Sequence, residues 1–273
     1  VVHLRTIRAL ALLIPFALAG FPQSIQIERM TEAVVQDRLG LATPDQAQRF
    51  ARLKTMFEDA GCGAHLTEIK VKHAKLPNLV CVLPGASEQE VIVGAHFDSV
   101  PTVTGVVDNW SGASLLPSLY QSIAKQGRKH TFRFVAFVDE EKGMVGSRAH
   151  VKSLTDADRS RILGMVNIDS IGTGPLNVGL SDSDEKLTGI LRRAALSQKT
   201  DIRGVNTDKV GFSDHTSFRE AKIPAVNIHS LTTETLPLLH SKKDDFAAID
   251  KENYYLTYRV LSIYMVFLDE LLK

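Results

Sequence analysis

The chain has 273 residues, of which 44% are hydrophobic and 23% charged, with a formal net charge of +1. That is globular composition with enough apolar content for a sizeable core. The near-neutral balance gives no electrostatic case for nucleic acid or an anionic membrane surface as partner. At the start, "VVHLRTIRALALLIPFALAGFPQS" pairs Arg5 and Arg8 with an apolar run from Ala9 to Ala19. The run is short and interrupted by proline, whereas a membrane-spanning helix needs about 20 apolar residues. Small residues at Ala17 and Ala19 suit a signal-peptidase site, so residues 1–19 read as a secretory signal and residues 20–273 as one domain. The expected location is secreted or periplasmic. Membrane anchoring follows only if that segment stays uncleaved.

Taken in order, "SIQIERMTEAVVQDRL" and "TPDQAQRFARLKTMFEDAG" have helical apolar spacing. The second predicts Thr43 as N-cap, Pro44 in the first turn and Gly61 as the stop. Strands are expected in "HLTEIKVK", "NLVCVLPG", "EVIVGAH", "TFRFVAFVDE", "GMVNIDSIG", "LNVGL" and "IPAVNIHS". Helices are expected in "SGASLLPSLYQSIAKQG" (broken at Pro117), "VGSRAHVKSLT", "DSDEKLTGILRRAALSQK", "DHTSFREAK" and the C-terminal "KENYYLTYRVLSIYMVFLDELLK". Interior strands that read as continuous apolar runs are buried on both faces. The alternation predicts a single three-layer α/β domain with a mixed, mostly parallel sheet and antiparallel strands at its early edge. Cys62 and Cys81 are compatible with one disulfide in an oxidising compartment, but they would not lie opposite each other in a hairpin, so two buried free thiols are the favoured expectation.

Ligands of open α/β sheets bind beyond the carboxyl ends of the strands. Those ends deliver His96 and Asp98, then Asp139, Glu140 and Glu141, then Asp169, then His229. Loops add Asp108, Asp214, His215 and His240. A single acidic strand end is usually a cap or a solvated loop. Several together, with no matching run of lysine or arginine, are economically neutralised by a cation. Imidazole with carboxylate favours zinc over magnesium or calcium, and the absence of HExxH means that the ligands are not carried on one helix. Two zinc ions sharing a carboxylate need roughly five ligands. His96, Asp108, Glu141, Asp169 and His240 meet that number.

The succession "GAHFDS", "GVVDNWSG", "FVAFVDEEKGMVGS", "VNIDSIG", "GFSDHTSF" and "LHSKKDD" resembles the M28 metallopeptidases, di-zinc enzymes related to bacterial leucyl aminopeptidases. The resemblance runs from about Leu41 to the C-terminus. It implies the zinc exopeptidase fold, two zinc ions per chain and peptide substrates. It further implies that His96 and Asp169 hold one zinc, Glu141 and His240 the other, and that Asp108 bridges them. Glu140 matches the general base, and Asp98 the carboxylate that orients His96. The peptide after Asp108 is implied to be cis. Asp244 matches a position that steadies the last ligand loop, Asp214 one that fixes its own loop, and His215 a packing or substrate-side position. One departure stands out: many members carry tyrosine before the last histidine, where its hydroxyl can stabilise an oxyanion, and here that residue is Leu239.

Other side chains have plainer readings. Asp139 bonds locally, and His229 is a satisfied structural histidine. His65, His73, His130 and His150 are surface residues, and Trp110 either packs in the wall or lines the substrate cleft, with lining slightly favoured. The favoured function is an aminopeptidase. A carboxypeptidase should offer a basic clamp, and only Lys142 and Arg148 fall inside the motifs. The alternatives are a glutaminyl-cyclase-like acyltransferase using one zinc, and a non-catalytic binding domain of the same fold.

Overall fold

The computed structural model describes residues 27–206 and 212–273, so the expected signal at 1–19 lies outside the described residues. No helix of the described residues is long and apolar enough to cross a membrane. The chain runs through α1 (Glu32–Leu39), α2 (Gln46–Asp59), β1 (Leu66–Ile69), β2 (Asn78–Leu83), β3 (Glu90–His96), α3 (Ser111–Ala124) and β4 (Thr131–Phe137). It continues with α4 (Val145–Ser153), α5 (Asp156–Arg161), β5 (Ile162–Ile168), β6 (Asn177–Gly179), α6 (Glu185–Ser197), β7 (Arg203–Val205), α7 (His215–Glu220), β8 (Ala225–His229) and α8 (Lys251–Leu271).

The strands form one eight-stranded sheet in the order β1-β2-β4-β3-β5-β8-β6-β7. Pairings β4–β3–β5–β8 are parallel, and β1–β2 and β2–β4 are antiparallel, which is the expected mixed sheet with its antiparallel early edge. Antiparallel β6–β8 at the other side was not legible in the sequence. Neither was β7, a three-residue edge strand with little burial to create an apolar pattern. The central strands β3, β4 and β5 are almost wholly buried because helices cover both faces. One large core packs α1, α2, α3, α6 and α8 on one side; a smaller one around Phe137, Met165 and Phe218 lies on the other.

Four local expectations are corrected. Asp45, not Thr43, caps α2: its carboxylate accepts from the Gln48 amide at 2.9 Å, and helix begins at Gln46. Carboxylate is at least as good a cap as hydroxyl, and the shift leaves Pro44 outside the helix. Pro117 does not break α3, which is continuous and buried along nearly its whole length. Tertiary packing there outweighs the roughly 3 kcal/mol that an interior proline costs. Cys62 and Cys81 form a disulfide, with Cα atoms 6.2 Å apart. Cys62 belongs to the turn ending α2, and the tight turn Gly63–His65 swings it over β2 instead of along the β1 edge. Finally, His130 and His150 are buried while His65 and His73 are exposed. The His130 amide donates to Asp269 at 2.8 Å, and the His150 ring packs between Phe137 and Phe218.

Candidate metal centre

The chain order reverses around β3, which has β4 on one side and β5 on the other. Beyond the carboxyl ends of these strands and β8 lies a cavity of about 390 Å³. β3 ends on His96, whose ring is almost fully buried; β4 runs into Glu140 and Glu141, and β5 into Asp169. Asp108 arrives on the loop that enters α3, and its peptide bond to Asn109 is cis. His240 comes from the loop before α8, with 57% of its side chain exposed.

Two sets of three donor atoms result. His96 Nε2 is 3.2 Å from Asp108 Oδ1 and 3.4 Å from Asp169 Oδ1. His240 Nε2 is 3.3 Å from Asp108 Oδ2 and 3.0 Å from Glu141 Oε2. Each triad fits within 4.8 Å, the spread expected of donors around one ion, and Asp108 gives one oxygen to each. Nitrogen with carboxylate oxygen is a zinc-type donor set, so the residues present fit two such ions. Glu140 lies alongside, Oε2 4.0 Å from His96 Nε2, and belongs to neither triad.

The charge balance has the same sense. Burial opposes charge on His96, yet the Asp169 and Glu140 carboxylates and hydrogen bonds to Asp108 and Asp169 hold its proton well above the usual histidine range. The hydrogen bond to Asp108 lifts His240 to about 9. Burial pushes Glu140 up to about 9, with the Asp214, Asp169 and Asp108 charges adding to it and His96 opposing. Burial, then Asp108, lifts Glu141 to about 7. So many carboxylates in one low-dielectric place require compensating positive charge, whether protons or metal.

The supporting contacts are specific. Asp98 Oδ1 lies 3.6 Å from His96 Nδ1, while its two oxygens accept from the Glu140 and Glu141 amides at 3.0 and 3.2 Å. Asp98 therefore ties the ends of β3 and β4 together as well as facing the imidazole. Asp244 accepts from the Val107 and Asp108 amides at 2.6 and 3.1 Å, anchoring the loop that carries the shared carboxylate. Asn109 donates to the Ile168 carbonyl and accepts from the Gly112 and Ser170 amides, joining that loop to the end of β5. Ser213 donates to Asp169 Oδ2 at 2.6 Å.

Arg49 was not singled out by the sequence, yet it underlies the whole centre. Fully buried, it donates to the carbonyls of Thr43, Phe97, Thr104 and Gly105, and it stacks over Trp110 at 5.5 Å. Burial lowers it to about 10, opposed by Asp98, Asp244, Asp108 and Glu141, so its positive charge faces the acidic cluster from below. Gly105 makes the approach possible: its φ is +59°, and a methyl there would sit 2.5 Å from the Asp108 carbonyl and 2.9 Å from the guanidinium. The signal the sequence did carry is positional: Arg49 falls on the same helix stripe as Leu53, Met56 and Phe57, a charged residue on the face that packs inward.

Remaining candidates separate clearly. Asp139 pairs with Lys142 at 2.9 Å, and Arg148 with Glu220, so neither cation faces the cavity. Asp214 and His215 are buried behind the site, His215 Nε2 lying 3.0 Å from Asp182. Trp110 does not line the cleft: it is buried in the core, and its indole N–H donates to the Arg38 carbonyl. His229 is not a fully satisfied histidine either. It lines the cavity, and Nε2 is buried without a hydrogen-bond partner among the described residues.

The family model described as Peptidase family M28 matches residues 78–265. Over 183 residues the chain is 31% identical to leupeptin-inactivating enzyme 1 of Streptomyces exfoliatus, covering 65% of this chain and 41% of the relative. It is also 31% identical over 170 residues to aminopeptidase YwaD of Bacillus subtilis (strain 168), covering 59% and 37%. The chain thus spans about two fifths of the length of these curated relatives. Among solved structures, Legionella LapA superposes with a TM-score of 0.75 at 19% identity, covering 87% of this chain and 72% of that one. BSAP, a zinc aminopeptidase from Bacillus subtilis, gives 0.63 at 27% identity, covering 69% and 49%. An Acidobacteriales bacterium glutaminyl cyclase gives 0.75 at 15% identity, covering 92% and 99%, a likeness of fold alone.

Proposed function

The chain belongs to peptidase family M28, and from that premise we propose that it is a di-zinc aminopeptidase removing N-terminal residues from peptides. The observation that carries this reading is Asp108, which offers one oxygen to each of two complete donor triads. A single-zinc acyltransferase needs one triad. A binding domain needs neither. The names of the matched relatives, two of them aminopeptidases, support the same reading.

His96 and Asp169 would hold one zinc, Glu141 and His240 the other, with Asp108 between them. A bound zinc pair would supply Lewis acidity toward the scissile carbonyl and would make water more acidic. Glu140, beside the triads but in neither, accepts a proton from the attacking water and returns it to the leaving amine. Asp98 holds Glu140 in place through its backbone amide. No lysine or arginine is among the described residues lining the cavity, so those residues provide no clamp for a substrate carboxylate. Its acidic groups suit a free α-ammonium instead.

The experiment is metal content measured together with the products formed from a mixed peptide library. Two zinc ions per chain with stepwise N-terminal trimming is the expected result. One tightly held zinc with pyroglutamate formation would overturn it in favour of the cyclase reading.

A further inference from the structure

The cavity has an uneven wall. Met144, Phe212, Leu231 and Leu239 make part of it apolar, and Phe212 is 78% exposed at the rim. The part continuous with β8 is polar instead. β5 and β8 are parallel neighbours with Asn167 opposite Asn227, and the Asp169 amide bonds to the Ile228 carbonyl at 2.9 Å. His229 therefore stands beside Asp169, two residues beyond Asn227 on the same strand face.

The polar groups near it are already engaged. Ser213 donates to Asp169, Asn227 Oδ1 accepts from Asn167, and Asn227 Nδ2 is directed at Asp182. His229 differs. Its Nδ1 accepts the Leu231 amide proton at 3.1 Å, which leaves Nε2 as the ring nitrogen that carries hydrogen in the neutral ring. Nε2 is buried, has no hydrogen-bond partner among the described residues and belongs to neither donor triad. With Nδ1 accepting the Leu231 amide proton, the ring carries its own hydrogen on Nε2. A buried donor without an acceptor is costly, and native structures hold few of them.

We infer that His229 is a specificity-determining residue whose Nε2–H donates a hydrogen bond to an uncharged acceptor on the substrate's first side chain, so that N-terminal glutamine and asparagine are preferred over apolar residues of equal size. A carboxylate side chain is disfavoured because the described lining has no lysine or arginine, while Asp169 and Glu140 lie nearby. The inference rests on the aminopeptidase reading for its substrate but not for its geometry. A site built to hydrogen-bond a substrate group discriminates strongly against an analogue that lacks it.

The test compares zinc-loaded wild type, His229→Phe and His229→Gln. One readout is kcat/KM for glutaminyl, asparaginyl, methionyl and leucyl p-nitroanilides. The other is calorimetric affinity for free L-glutamine and L-methionine, which have side chains of similar length. Wild type should favour the amide member of each pair by about 10-fold or more. His229→Phe should reverse that preference while keeping its zinc, and His229→Gln, which retains a donor, should restore part of it. An amide-to-apolar ratio unchanged in His229→Phe, or a uniform loss across all substrates, overturns the inference. Wild type that cleaves no anilide yet binds glutamine selectively through His229 would refute the peptidase reading and leave this inference standing.

Discussion

The two halves of the metal centre are built differently. The His96–Asp108–Asp169 half takes His96 and Asp169 from the ends of adjacent parallel strands, and its imidazole is almost fully buried. The Asp108–Glu141–His240 half shares the same aspartate, but its histidine sits on a loop with 57% of the side chain exposed. Sheet ends are rigid because each neighbour fixes the next, whereas a loop ligand is placed by a few contacts. The inner half should therefore behave as a preformed site, and the outer one as the site that opens first.

Removing the shared carboxylate erases the comparison. Asp108→Ala should lose both metals and reduce peptide hydrolysis by at least about 10⁴-fold, as measured by zinc per chain and by turnover. Retention of one full equivalent of zinc would show that the triads are independent. Glu140→Gln should separate chemistry from binding: zinc content holds, and kcat falls by about 10²- to 10⁴-fold. Parental turnover in the metal-replete variant would exclude Glu140 as the base.

The next two changes probe each half's support. Arg49→Met removes the buried cation beneath the loops at Phe97 and Gly105 and should cost about 3–5 kcal/mol in urea unfolding of the metal-free protein. A loss within about 0.5 kcal/mol would mean that the guanidinium merely fills space. His240→Ala should weaken one zinc by at least about 100-fold in chelator titration and leave the other in place, with metal-free stability nearly unchanged. Simultaneous loss of both zincs would deny the inner half its independence.

The smallest effect lies away from the centre, on the opposite face of the sheet. Burial, reinforced by Arg133, pushes His150 down to about 4, so the folded protein holds this ring neutral. The unfolded chain takes up a proton near pH 6.5 and the folded one only near 4. Stability should therefore fall as the pH drops through 6.5 and level off below 4, by about 2 kcal/mol at pH 5 from this ring alone. Replacing His150 with Leu should flatten that part of the urea-midpoint profile between pH 7 and 5. An unchanged slope would locate the acid sensitivity elsewhere.

Much of this was legible in the sequence because each feature had a local cause. Apolar runs such as "VIVGA" and "FVAFV" announce central strands, since burial on both faces leaves no alternation to read. His96, Glu141 and Asp169 were legible because strand ends in an open sheet converge, whereas Asp108 and His240 on loops, and the role of Glu140, were legible from the order of the motifs. Thr43 and Pro117 misled: a hydroxyl and a carboxylate two residues apart are both good caps, and a helix-breaking tendency is small beside tertiary packing.

Periodicity, motif order and residue chemistry are enough to specify the layered α/β architecture, the family and the side chains able to hold metal. The remaining features arise from contacts between distant segments. Arg49 acts from a helix that precedes the motifs, and Cys62 meets Cys81 because a tight turn redirects the chain. Asp244 reaches back 136 residues to hold the Asp108 amide. His229 looked satisfied until its one bonded nitrogen was seen to leave the other unpartnered in the cavity wall. Hydrogen-bond satisfaction is a property of three-dimensional surroundings, and no spacing along the chain encodes it.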